Sequence, residues 1–168
     1  MSTFDQSLIA RRQQHHRCSA QTSVEFEPET FQQMAGLIAY YNTQNHAWLR
    51  MSRNEEQKQN SLVVCGNDNG IYQEWSDEIL IDSWSKVYMR VIFDLKTFHF
   101  EYSLDDTAWF QIGDKLSAKL LSDEYATRFD GGYARSFGFT GNYLGMLCSD
   151  LSGRKKHADF DYFEYKAL

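Results

Sequence analysis

Acidic side chains offer this sequence its most obvious chemistry: Asp and Glu number 23, against 17 Lys and Arg. Asp159 and Asp161 stand two apart, alternating with Phe160 and Tyr162. On a strand they share one face at about 7 Å, inside the window for two carboxyls that cleave a glycosidic bond with inversion. Alternating acidic and apolar residues are also how a half-exposed strand is built. A catalytic acid needs a desolvated pocket to raise its pKa, and nothing in the sequence shows one. The solvated face is therefore the preferred reading. His157 adds a third polar group to that face, but a metal would lack its fourth ligand. Asn67-Asp68-Asn69 has the composition of an ordinary turn rather than the spacing of a calcium loop. No metal and no other cofactor is expected. His15 and His16 are adjacent, so on a strand they point opposite ways. Neither a Gly-x-Ser-x-Gly elbow nor a Cys–His signature occurs. Gly131-Gly132 lacks the strand–helix setting and following Lys of a phosphate loop and reads as a turn.

The aromatic residues are the real excess. They make up 15% of 168 residues and include Trp48, Trp75, Trp84, Trp109 and ten tyrosines. A flat ring with a negative face suits the apolar, slightly positive C–H groups on a sugar face. Exposed rings therefore mean carbohydrate or a protein interface, and buried ones mean core. Trp75 and Trp84 have polar neighbours and are the expected exposed, sugar-stacking candidates. Exposure is expected more of these two than of Trp48 or Trp109.

The elements that must position these side chains show a period of two. Val87, Met89, Val91 and Phe93 form one such set, and Phe98, Phe100 and Tyr102 another. Each set marks one buried face of a strand, and Asp94–Thr97 between them has hairpin length. Further strands are expected at 17–26, 35–41, 46–51, 62–65, 71–72, 109–112, 138–148 and 158–165. The run 35–41 is apolar on both faces and should be central. Only 117–126 suggests helix, as one or two turns, and 127–138 reads as irregular. About ten short strands separated by turns indicate an antiparallel two-sheet β-sandwich or jelly roll.

Composition narrows the function classes. A net charge of −6, with basic clusters only at Arg11-Arg12 and Arg154–Lys156, argues against a nucleic-acid partner. No apolar run approaches the roughly 18 residues of a membrane helix, so no membrane partner is expected. Cys18, Cys65 and Cys148 are odd in number and widely spaced. They read as mostly buried thiols in a reducing cytoplasm. The hydrophobic share of 42% supports one packed domain. The length falls short of the about 250 residues of a (β/α)₈ barrel.

Several segments, taken together and in order, carry a resemblance. They are Ser7–His15, then Ala35-Gly36-Leu37 with Tyr40-Tyr41-Asn42, then Tyr102-Ser103-Leu104-Asp105 with Trp109 and Ile112-Gly113. Leu121–Tyr125, Phe139-Thr140-Gly141, Gly145-Met146, Asp150–Gly153 and His157–Phe163 follow. This series resembles the C-terminal domain of family 43 glycoside hydrolases of the β-xylosidase type. The resemblance leaves 1–6 as an N-terminal tail and 7–168 as a single domain.

The resemblance implies an all-β, concanavalin A-like sandwich, in agreement with the period-two reading. It also implies that catalysis lies elsewhere. In the family a propeller domain, on the same or a separate chain, carries the aspartates and glutamate that hydrolyse xylosides or arabinosides with inversion. No part of this chain resembles it. The sandwich packs on that propeller and lends a loop aromatic to the sugar pocket. The matching position is Phe139. The preceding stretch 127–137 looks longer than usual, so Phe137, Tyr133 and Arg135 stay as candidates. An apolar patch near 128–141 is expected where the propeller docks, and a homo-oligomer is compatible. Two alternatives remain: a free-standing carbohydrate-binding module that takes xylo-oligosaccharides on a row of exposed rings, and an independent enzyme with converging carboxylates.

Overall fold

The computed structural model describes residues 6–81, 86–130 and 133–168, apart from the side chains of 129–130 and 133–136. One antiparallel sheet holds β1 (Gln6–Arg12), β3 (Gln33–Asn42), β4 (Asn45–Asn54), β5 (Gln59–Asp68), β6 (Ile71–Glu74), β7 (Ile79–Ile81) and β13 (Tyr143–Asp150). Its order is β1-β13-β3-β4-β5-β6, with β7 also pairing β5. The second sheet is built from β2 (Arg17–Glu25), β8 (Lys86–Asp94), β9 (Thr97–Ser103), β10 (Phe110–Ser117) and β14 (Asp159–Ala167). Its order is β10-β9-β8-β2-β14.

Alternation decides which side chains meet between the sheets. Val87, Met89, Val91 and Phe93 of β8 face Ala35, Leu37, Ala39 and Tyr41 of β3 across one core. Phe93 stacks on Phe98 at 4.8 Å, and Phe98 meets Phe100 edge-on at 6.0 Å. The other face of β3 is apolar too. Met34 and Ile38 bury against Trp48 and Leu147. Strand β3 therefore has the central position expected of a run apolar on both faces. The β8–β9 hairpin also forms as expected, with Leu95 taking a positive φ of 55° in its two-residue turn.

The structure departs from expectation in several places. Gln6–Arg12 is a strand pairing β13, although Ile9 is 71% exposed and gives no alternating signal. Residues 127–138 are not simply irregular: β11 (Arg128–Asp130) and β12 (Tyr133–Ser136) pair as a small separate hairpin. The strand expected at 138–148 starts at Tyr143, and 138–142 are loop. The helical stretch is a 3₁₀ turn, Ala118–Leu121, followed by α1 (Asp123–Ala126). In β14 the register shifts between Phe160 and Phe163, yet Asp159 and Asp161 are both exposed and alternate with half-buried Phe160 and Tyr162, the solvated face expected. Asp161 pairs with Lys86 there.

Candidate functional site

The loop 137–142 is held by its backbone and presents its rings outward. Its support begins with two elements. Strand β3 delivers Tyr41, 4% exposed, at its end. Ser122 caps α1 by accepting a bond from the Tyr125 amide, which sets Asp123 in the first turn. The Tyr41 hydroxyl donates to Asp123 Oδ1 at 2.6 Å. Burial, then the adjacent carboxylate, pushes the Tyr41 phenol up, so it stays a proton donor. Helix α1 is tied in turn to the β5–β6 turn, where the Tyr125 hydroxyl donates to Asp68 at 2.9 Å.

The loop amides end on this support. Gly138 N donates to Thr127 Oγ1 at 2.9 Å, and that hydroxyl donates to the Asp123 carbonyl at 2.7 Å. Thr140 N donates to the Tyr41 hydroxyl at 3.4 Å, and Gly141 N to Asp123 Oδ1 at 3.1 Å. Asn142 is fastened to Gln13 twice, by Gln13 N to its carbonyl at 2.9 Å and by its Nδ2 to Gln13 Oε1 at 2.8 Å. A Cβ on Gly138 would sit 2.2 Å from the Asp123 carbonyl oxygen and 2.7 Å from the Tyr41 hydroxyl, so only glycine fits this approach. The two phenylalanine rings of this loop are exposed. Phe137 is 68% and Phe139 75% exposed.

Two grooves flank the fold. One, of about 800 Å³, runs beside the loop base and is lined by His15, His16, Lys96, Lys119, Glu124 and Gly141 among others. The other, of about 710 Å³, includes Trp75, Gln111 and the carboxylates Glu74, Asp77 and Asp114. All three carboxylates are exposed to water. That is the opposite of the desolvated setting a glycosidase acid needs.

The expected site residues separate accordingly. Phe139 and Phe137 come together on the held loop. The side chains of Tyr133 and Arg135 lie outside the described residues, as does Trp84. Trp75 corrects the expectation of exposure: it is half-buried and packs against the core. Trp109 is half-buried like Trp75, with the Arg90 guanidinium 4.0 Å over its ring. Among the described residues no three His, Cys, Asp or Glu side chains gather as a metal would require. A row of exposed rings along a sheet is also not found among them. Trp48 at the middle of the first sheet is 4% exposed, and apart from the rings of loop 137–142 the exposed rings are scattered: Phe31 in the loop before β3, Tyr72 on β6, Phe110 on β10 and Tyr125 on α1. Sequence reasoning missed the supports, Tyr41, Asp123, Thr127 and Gln13. The available signal was a Tyr ending an apolar strand and a Ser-Asp helix cap.

Residues 1–166 match the family model described as the β-xylosidase C-terminal concanavalin A-like domain. The chain is 40% identical over 164 residues to a xylan 1,3-β-xylosidase of Vibrio sp., covering 98% of this chain and 29% of that protein. It is 41% identical over 167 residues to a β-xylosidase of Bacillus subtilis, covering 98% and 30% respectively. The crystal structure of a xylan β-1,4-xylosidase from Bacillus halodurans superposes with a TM-score of 0.86 at 37% identity, over 96% of this chain and 30% of that one. The chain thus spans less than a third of the length of the relatives it matches.

Proposed function

Because the chain belongs to the family of C-terminal concanavalin A-like domains of family 43 β-xylosidases, we propose that it packs on a catalytic propeller and completes that propeller's sugar pocket with the ring of Phe139. In its relatives this domain is the C-terminal part of a larger enzyme, and the chain matches no catalytic portion of it. The activity served is release of xylose or arabinose units from xylan oligosaccharides. The observation that carries this reading is a ring left 75% exposed on a backbone held at Gly138, Thr140, Gly141 and Asn142. An exposed Phe on a mobile loop has no cost to explain. A fixed one is shaped for contact, since burying it yields about 1.5–3 kcal/mol, and its negative face suits pyranose C–H groups. Phe137, 68% exposed two residues earlier, adds a second apolar ring to the same loop. The free thiols Cys18, Cys65 and Cys148, two of them buried, fit a cytoplasmic setting.

The test is a hybrid in which this chain replaces the matched C-terminal part of the Bacillus subtilis β-xylosidase. The hybrid should hydrolyse a chromogenic xyloside, and Phe139→Ala should lower kcat/KM by about 10-fold or more. The isolated chain should be inactive. A hybrid indifferent to Phe139→Ala would defeat the borrowed-ring reading. Calorimetric binding of xylo-oligosaccharides by the isolated chain would favour a carbohydrate-binding module instead.

A further inference from the structure

We infer that Tyr41 and Asp123 are positioning residues for the sugar pocket: they form a latch that fixes the reach of the Phe139 ring. This rests on the accessory-ring reading but concerns residues that do not touch sugar. The two side chains come from distant parts of the chain, the end of β3 and the first turn of α1. Both sides of Phe139 end on them. On its N-terminal side, Gly138 is packed so closely that a methyl group there would overlap the Asp123 carbonyl and the Tyr41 hydroxyl. On its C-terminal side, the Thr140 amide bonds the Tyr41 hydroxyl and the Gly141 amide bonds Asp123 Oδ1. Asp123 Oδ1 accepts two donors, and the Tyr41 hydroxyl both donates and accepts. Removing that one hydroxyl leaves the Thr140 amide unpaired and takes a donor from Asp123. The tyrosine ring itself stays in the core, so Tyr41→Phe loosens the loop without opening a cavity.

Such a latch acts by pre-organisation. A ring already held at the angle the sugar needs contributes its full contact, whereas a free ring loses part of it to ordering on binding. Asp123 serves as a hydrogen-bond acceptor, so an amide in its place should suffice.

The experiment uses the hybrid enzyme for kinetics and this chain for amide hydrogen exchange. Tyr41→Phe and Asp123→Ala should each speed exchange at Thr140 and Gly141 and lower kcat/KM by about 3- to 10-fold. Asp123→Asn should stay within about twofold of the parent, because its amide oxygen still accepts both bonds. In the background of Phe139→Ala, Tyr41→Phe should cost little more, since the ring it positions is gone. Unchanged exchange and kinetics in Tyr41→Phe, with Phe139→Ala still damaging, would overturn the latch and leave the ring reading intact. Full additivity of the two substitutions would also overturn it. Faster exchange in Tyr41→Phe with no effect of Phe139→Ala would sink the ring reading and keep the latch as a loop anchor only.

Discussion

Gly138→Ala probes the held loop by steric force alone. The added Cβ would start 2.2 Å from the Asp123 carbonyl oxygen and 2.7 Å from the Tyr41 hydroxyl. The backbone must retreat by about 1 Å, because a close-packed neighbour that is itself backbone yields little. A shift of that size breaks the 2.9 Å bond from Gly138 N to Thr127 Oγ1 and the already long 3.4 Å bond from Thr140 N to Tyr41. Two neutral hydrogen bonds are worth about 1–3 kcal/mol together. Stiffening of the unfolded chain by Ala returns about 0.4–1 kcal/mol. At the middle of both ranges the net loss is about 1.3 kcal/mol, which for a chain of this length lowers Tm by about 3–5 °C. Thermal unfolding followed by near-ultraviolet circular dichroism would measure it. A variant that melts within 1 °C of the parent (roughly 0.3–0.5 kcal/mol) would mean the loop is not clamped at Gly138.

Two further outcomes follow from buried groups away from the loop. Burial holds His46 down to about 4, whereas the unfolded chain binds that proton near pH 6.5. Its contribution is therefore complete above about pH 6.5 and is lost as pH falls toward 4, by about 3 kcal/mol in all. His46→Asn should flatten urea-unfolding stability across that window, and equal pH slopes in parent and variant would contradict the assignment. Burial also pushes the thiols of Cys18 and Cys65 up, so at pH 8 a thiol reagent should reach them only on unfolding, with the half-buried Cys148 reacting first. Rapid native labelling of Cys18 would refute the packing.

What was legible in the sequence was what local periodicity encodes. The alternation Val87-Met89-Val91-Phe93 identifies β8 because one of its faces is buried, and Ala35–Tyr41 identifies the central strand because both are. Strand β1 escaped because most of it is exposed, so nothing forces alternation. The hairpin β11–β12 is too short to show a period. Trp75 misled because its neighbours Glu74 and Ser76 are polar, while its ring packs against the core. Phe139 was readable as a candidate only, through the family resemblance. Its supports were not, since the bond from Tyr41 to Asp123 spans 82 residues and only the folded chain brings the two together.

As proposed, this sandwich places the Phe139 ring in a propeller's sugar pocket. A crystal structure of the hybrid enzyme with a xylose-based inhibitor tests it most directly. The ring face should lie within about 4 Å of the sugar carbons, with the Tyr41–Asp123 and Gly141–Asp123 bonds intact. A ring left in solvent, or a different side chain of this domain against the sugar, would contradict it.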